Sequence, residues 1–460
     1  MLHPLLAASD SASLPIWLAD EKTWPEIAGK LPAQAQAFAK AQTFEAKAGT
    51  HCLLPDGDGN LLGVAFGLDA PDAKRADPFL PGKLSSLLPE GTYRFETTAP
   101  DPTLATLAWV LGAYSFDRYR KRSGKTVRLV LPAGVDGEDV TRIAEAVAAS
   151  RDLVNTPTSD LGPDGIEAAA RKLADRHGAA FRSIVGDDLL AQNFPMIHAV
   201  GRASATPPRL IDLTWGRADA PRVTLVGKGV AFDTGGLDIK PAASMLMMRK
   251  DMGGSAAALA LADMIMGAKL PVRLRVLIPA VENSISANAF RPGDILHSRK
   301  GLTVEIGNTD AEGRLILADA LALADEENPD LVVDFATLTG AARVALGPEL
   351  PPFYTEDETL AAEIAREGLA VNDPVWRLPL WHPYQSLLDS KYADVNNTGG
   401  PMAGSVTAAL FLSRFVSAAR AWVHFDIFAW NSATRPGRPE GGEVQAARLM
   451  YSLLKKRYGS

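Results

Sequence analysis

The sequence predicts an α/β protein: a small amino-terminal α/β domain and a larger carboxyl-terminal domain with a mainly parallel central sheet covered by helices. Two observations point there. At 460 residues the chain is long for a single hydrophobic core, so two domains are the default. In its second part, apolar strand-like runs alternate with helical periods: Arg222 to Val226, a helix after Gly254, Val272 to Ile278, a helix from Leu315 to Glu326, then Leu331 to Leu338. Apolar runs separated by helices suit parallel strands buried on both faces, because each crossover helix covers the sheet.

Taken in order, residues 1 to about 130 mix short strands, such as Gly63 to Gly67 and Thr126 to Leu131, with helical stretches such as Thr103 to Tyr119. This part carries no ligand cluster and no phosphate loop. A helix from about Asp139 to Leu153 leads into Asn155-Thr156-Pro157-Thr158-Ser159-Asp160-Leu161-Gly162-Pro163, a turn-rich break before another helix start. The expected division is therefore residues 1–135 as the first domain, 136–160 as connecting helix and linker, and 161–460 as the second domain. Active sites of open parallel sheets lie at the carboxyl ends of the strands. The polar residues of interest do follow apolar runs: Lys228 and Asp233 after one, Thr337 and Gly340 after another.

Composition narrows the function classes. A formal charge of -7 argues against nucleic acid or an anionic membrane as the main partner. The one basic cluster, Arg118 to Arg128 with Arg120, Lys121, Arg122 and Lys125, reads as a solvated helix end before a strand. Cys52 is the single cysteine, which excludes an intramolecular disulfide or a multi-cysteine metal cage and suits a reducing compartment. The start, Met1-Leu2-His3-Pro4-Leu5-Leu6-Ala7-Ala8, lacks a basic region and a long apolar run, and no segment reaches membrane-spanning length, so a cytoplasmic location is expected. The sequon at Asn396-Asn397-Thr398 is then a chance match.

Three segments carry chemistry. In Asn308-Thr309-Asp310-Ala311-Glu312-Gly313-Arg314, an extended backbone would point Asp310, Glu312 and Arg314 to one side, and two acids aimed at one spot invite a divalent metal. The plain alternative is a solvated acidic turn. In Val226-Gly227-Lys228-Gly229 through Asp233, a lysine sits between glycines in an apolar stretch. Desolvation there favours a neutral amine able to act as a ligand, and pairing with Asp233 is the competing reading. In Met245 to Gly254, Asp251 is flanked by methionines, which serve equally as core filler or as the wall of an apolar pocket. Together Asp233, Asp251, Asp310 and Glu312 offer enough oxygen ligands for two bridged divalent ions.

With these blocks in view, the chain resembles the leucyl aminopeptidase family, the two-metal cytosol aminopeptidases, and in particular its bacterial members. The likeness runs from Asn155-Thr156-Pro157 through Val226 to Lys240-Pro241, Lys250-Asp251-Met252-Gly253-Gly254, Asn308 to Arg314, Asp334 to Ala341 and Tyr392 to Asn397, roughly the carboxyl-terminal two-thirds. The resemblance implies a tighter metal site from Lys228, Asp233, Asp251 and Glu312, and an exchangeable one from Asp233, Asp310 and Glu312 with the Asp310 carbonyl. It implies zinc or manganese, a water between the ions as nucleophile, Lys240 as oxyanion stabiliser, and Arg314 holding a bicarbonate that shuttles the proton. None of the seven histidines falls in these blocks, and His424 reads as a strand residue with a structural partner.

The resemblance further implies cleavage of amino-terminal residues from peptides with a free amino terminus, with Met248, Thr337 and Gly340 forming the pocket for a first side chain such as leucine or methionine. A homohexamer is implied too. One departure stands out: the family commonly has Asp-Ile-Ala-Gly where this chain has Asp426-Ile427-Phe428-Ala429-Trp430-Asn431, followed by the Pro/Gly-rich Thr434 to Gly442. Either Phe428 shrinks the pocket, or Ala429-Trp430 takes the place of the usual Ala-Trp. The competing function, a DNA-binding regulatory or architectural role as in some bacterial relatives, would need a basic stripe that the composition does not supply.

Overall fold

The computed structural model describes residues 2–74, 76–121 and 124–459; Met1 and, in the basic cluster, Arg122 lie outside them. Two compact units are present, one comprising Met1–Ala148 with Ser432–Glu440, the other Ala149–Asn431 with Gly441–Ser460.

The first unit holds six strands, β1 (Leu6–Ala7), β2 (Leu14–Ala19), β3 (His51–Pro55), β4 (Leu61–Gly67), β5 (Gly91–Phe95) and β6 (Val127–Val130), in the order β1-β6-β5-β2-β4-β3. All neighbours are parallel except the β3–β4 hairpin. The helix Pro102–Gly112 starts where the Asp101 carboxylate accepts the Leu104 N–H at 2.9 Å, a conventional cap. It stops at Gly112, well short of Tyr119. The buried apolar stretch Leu104 to Leu111 ends there, and the Gly82 carbonyl lies 2.5 Å from where a Gly112 Cβ would stand. The helix Gly137–Asn155 then runs across the division between the units.

The second unit contains β7 (Ala180–Val185), β8 (Arg209–Trp215), β9 (Arg222–Gly227), β10 (Gly229–Asp233), β11 (Arg273–Asn283), β12 (Ile295–His297), β13 (Thr303–Glu305), β14 (Leu331–Ala336), β15 (Pro352–Tyr354), β16 (Trp376–Arg377), β17 (Val395–Asn396), β18 (Trp422–Asp426), β19 (Trp430–Asn431) and β20 (Gly441–Gly442). Its main sheet runs β16-β15-β18-β14-β9-β11-β8-β7, with β10 also on β11. The middle, β18-β14-β9-β11, is parallel, and antiparallel pairs appear only further out among the described strands. β14 is buried at every residue, as a central strand covered on both faces must be.

Side-chain alternation along the strands separates the two faces. Val226, Leu277 and Val332 share one core with Leu315 to Leu321 of the helix Glu312–Asp325, with Met196 and Ile197 of Pro195–Gly201 and with Phe411 of Gly404–Ser413. The helix Gly253–Gly267 packs against β9 and β14. Each large apolar side chain so buried contributes ~1.5–3 kcal/mol before conformational entropy is charged against it. Glycine is required at 254, where a Cβ would stand 2.2 Å from the Phe335 carbonyl oxygen. This close approach joins strand end to helix start: Lys228 N–H donates to Phe335 O at 3.0 Å and Ser255 N–H to Lys228 O at 2.8 Å.

Candidate metal centre

Lys228 stands between β9 and β10, and Asp233 ends β10, where pairing with β11 shifts register after Val230. A turn through Gly235 and Gly236, both with positive φ, then brings Lys240 back, its N–H donating to Thr234 O at 2.9 Å. Asp251 lies on the short 3₁₀ turn Met248–Met252 that opens the helix Gly253–Gly267. Thr337 follows β14. Lys228, Asp233 and Thr337 thus lie at or just past the carboxyl ends of parallel strands.

The segment Asn308 to Arg314 is not extended. Asn308 Oδ1 accepts the Asp310 N–H at 2.7 Å, which curls the backbone into a turn, and the helix begins at Glu312, three residues earlier than Leu315. Asp310 thus lies on the turn, while Glu312 and Arg314 occupy the first helical turn, where a carboxylate is favoured by the helix dipole. Convergence of the acids comes from this turn and not from strand alternation.

The structure brings Lys228, Asp233, Lys240, Asp251, Asp310 and Glu312 together. Lys228 Nζ lies 2.7 Å from Asp251 Oδ2 and 3.0 Å from Glu312 Oε1, and donates to Thr337 O at 3.1 Å. Its carboxylate partners are thus Asp251 and Glu312; Asp233 pairs instead with Lys240, at 2.8 Å, and Lys240 also contacts Asp310. Burial pulls the Lys228 ammonium down, but the charges of Asp251, Glu312 and Asp233 outweigh it and hold the ammonium above the ordinary lysine value. Burial and the neighbouring Asp233 charge push Asp310 up to about 6 and Glu312 up to about 8. Burial would raise Asp233 as well, yet the Lys240 and Lys228 charges keep it below the usual carboxylate range.

The acids therefore compete for two ammonium groups. Apart from the lysine ammonium contacts just described, the buried oxygens Asp251 Oδ2, Asp310 Oδ1 and Glu312 Oε1 accept no hydrogen bond among the described residues. Asp233, Asp310 and Glu312 each place one oxygen within 4.8 Å of the others. Converging carboxylate oxygens with unused lone pairs in a low-dielectric site fit a divalent cation, and no histidine or cysteine is needed for a hard oxygen-ligated ion. Two residues whose part the sequence did not announce support this arrangement. Asn283, fully buried at the end of β11, donates to Asp233 Oδ1 at 2.8 Å and to Thr309 O at 3.2 Å. Asn397 accepts the Gly307 and Asn308 N–H groups at 2.8 and 3.2 Å, which puts the second asparagine of the sequon in the structural frame of the site.

A cavity of about 590 Å³ opens beside this cluster. Met248, Thr337 and Gly340 all line it, as do Arg314 and Phe428. Arg314 donates from Nη1 to Asn397 O at 2.6 Å, while its Nε is buried without a hydrogen-bond partner among the described residues, a donor suited to a small anion. Phe428 itself forms part of the cavity wall, and Ala429, at positive φ, turns inward and is fully buried. Lys250 also lines the cavity; burial lowers its ammonium to about 8 against the opposing pull of Asp251. His424 is buried in β18 with Nδ1 2.5 Å from Asp334 Oδ1, which makes it a structural residue away from the chemistry.

Comparison with known proteins identifies the family. Residues 148–451 match the cytosol aminopeptidase family, catalytic domain, and residues 14–132 the M17 aminopeptidase N-terminal domain. A probable cytosol aminopeptidase of Chlorobium phaeobacteroides is 38% identical over 431 residues, covering 86% of each chain. That of Syntrophotalea carbinolica is 40% identical over 365 residues, 75% of this chain and 73% of the relative. Among solved structures, the cytosol aminopeptidase from Coxiella burnetii superposes with a TM-score of 0.94 at 45% identity, covering 99% of this chain and all of the other. The bottromycin maturation enzyme BotP in complex with Mn gives 0.86 at 32% identity, covering 97% and 100%. With family models matching residues 148–451 and 14–132, the protein belongs to the cytosol aminopeptidase family.

Proposed function

We propose that the protein is a two-metal aminopeptidase that removes amino-terminal residues from peptides. The observation that carries this reading is the convergence of Asp233, Asp310 and Glu312 oxygens within 4.8 Å, flanked by Lys228 and Lys240. Lys228, Asp233, Asp251 and Glu312 would hold one ion, and Asp233, Asp310 and Glu312 with the Asp310 carbonyl the other. Two divalent ions held there, zinc or manganese, would supply a water of lowered pKa and polarise the scissile carbonyl. Manganese is favoured by its presence in BotP.

The chain's own groups do the rest. Lys228 must give up its proton to become a ligand, so loading of that site is coupled to proton release from Nζ. Lys240 keeps its charge beside Asp233 and Asp310 and offers it to the oxyanion that develops on the substrate carbonyl. Arg314, with Nε unused, would hold a bicarbonate as proton carrier, since no histidine reaches the cluster. Met248 and Thr337, with Gly340 leaving room, present the first side chain with an apolar surface suited to leucine or methionine.

No observation favours the DNA-binding alternative: the net charge is -7 and the basic cluster is short. No helix among the described residues is long and apolar enough to cross a membrane, and the relatives are named as cytosol enzymes, which accords with a cytoplasmic location. The test is to strip the protein with a chelator and reconstitute it with zinc, manganese, magnesium or cobalt, following bound metal and hydrolysis of leucyl and methionyl amides. Activity should vanish and return with manganese or zinc. Failure of every metal to bind stoichiometrically or to support hydrolysis would refute the assignment.

A further inference from the structure

The wall of the cavity opposite in character to the acid cluster is cationic. Lys250 lies on the turn that also carries Met248 and Asp251, is 5% exposed, and lines the cavity. Its ammonium makes no hydrogen bond or ion pair among the described residues, and sits 5.0 Å from the centre of the Phe428 ring. The Arg343 guanidinium, on the exposed side of the helix Gly340–Leu346, stands 5.0 Å from the same ring and lines the same cavity. One aromatic ring thus gathers two cations, which an aromatic quadrupole stabilises only weakly.

The nearby acids are already engaged. Asp251 is taken by Lys228 at 2.7 Å and by the Thr337 hydroxyl at 2.8 Å. Asp426 accepts from Leu338 N, Thr339 N, Thr339 Oγ1 and Ser405 Oγ. A buried ammonium is costly unless an anion pairs with it. An anion entering the cavity would meet that need.

We infer that this end of the cavity selects a substrate whose first side chain carries a carboxylate, glutamyl or aspartyl, over leucyl: the aliphatic stem rests on Met248 and Thr337 and the carboxylate pairs with Lys250 and Arg343. The inference rests on the aminopeptidase reading and replaces its leucine or methionine preference with an acidic first residue. Phe428 acts here as the platform that holds both cations at the cavity wall, which gives the departure at residues 426–431 a purpose beyond reducing volume. A neutral hydrophobic side chain can still occupy the space, but it leaves the buried ammonium unpaired, and pairing of a buried charge discriminates more strongly than a methylene does.

The experiment compares kcat/KM for glutamyl, aspartyl, leucyl and methionyl amides on the full-length, manganese-loaded protein and on Lys250→Met, Lys250→Arg and Arg343→Met. Wild type should hydrolyse an acidic amide at least as well as the leucyl amide. Lys250→Met should lower the acidic-to-leucyl ratio by ~10-fold or more, the size of a charge-assisted contact, and Lys250→Arg should retain most of it. Arg343→Met, at an exposed position that folding tolerates, should move the ratio in the same direction. Preference of wild type for leucyl amide together with a ratio unmoved in Lys250→Met and Arg343→Met would overturn the inference while leaving the aminopeptidase reading intact. Absence of hydrolysis of all four amides by metal-loaded protein would overturn both.

Discussion

Lys228 and Lys240 stand within one charged cluster yet face different tasks, and single substitutions separate them. Lys228 is enclosed by Asp251, Glu312 and the Thr337 carbonyl, whereas Lys240 reaches in from the glycine turn between Asp233 and Asp310. Lys240→Ala is expected to lower kcat by ~10²-fold, as loss of one oxyanion donor does, with bound metal retained. Glu312→Ala should lose both activity and metal, because in the proposed assignment its carboxylate would serve both metal sites. Metal analysis beside steady-state rates checks the pair; metal loss in Lys240→Ala would recast that lysine as a ligand. These residues were legible in the sequence because acids and lysines beside glycines in apolar runs have few structural uses. Lys250 was not, since its meaning depends on which carboxylates it fails to meet, and that is set by the packing of three separate segments.

At the level of elements, one side chain ties a helix start and a distant loop to the helix that carries Glu312. Asp319, fully buried, accepts the Met196 and Ile197 N–H groups at 2.9 and 3.3 Å at the beginning of the helix Pro195–Gly201, and the Arg299 N–H at 2.8 Å. Asp319→Ala leaves two buried donors and one part-buried donor without partners and is expected to cost ~3 kcal/mol. Urea unfolding monitored by circular dichroism measures it, and a loss below ~0.5 kcal/mol would show that water or a shifted backbone replaces the carboxylate. Alternating apolar runs were enough to anticipate a mainly parallel central sheet, because burial on both faces leaves a strong compositional trace, but they did not give the order β18-β14-β9-β11. The start of the helix at Glu312 was hidden by local chemistry: an asparagine side chain folds the Asp310 turn, and a pattern of acids at alternate positions says nothing of that bond.

For the whole molecule, the exposed apolar residues of the second unit carry information that the core does not. Trp376, Trp381, Leu387, Tyr392 and Met402 fall within one stretch of sequence and are 45% to 76% exposed in the single chain. A contiguous exposed apolar patch marks an association surface, and so many exposed large side chains in one stretch of sequence are the material for one. Together with the homohexamer that the family resemblance implies, this leads us to expect six copies by size-exclusion chromatography with light scattering, and a monomeric mass would count against it. The chain's division into units was less readable than its chemistry. The long helix Gly137–Asn155 crosses the boundary without a break, and the Pro/Gly-rich stretch near Pro436 reads in sequence as an ordinary surface loop.

That stretch has a practical consequence for anyone wishing to cut the protein in two. Residues Ser432–Glu440 belong to the first unit, where Arg438 lies over the Phe79 ring at 4.8 Å, but they leave and re-enter the second unit between β19 and β20, whose residues Asn431 and Gly441 sit directly opposite each other. Simple truncation at the amino-terminal side would strand this finger without the surface it was shaped for. Because its two ends already meet across an antiparallel pair, a two-residue Asn-Gly splice can replace it without stretching the backbone. A minimal catalytic unit is therefore made by two excisions, not one.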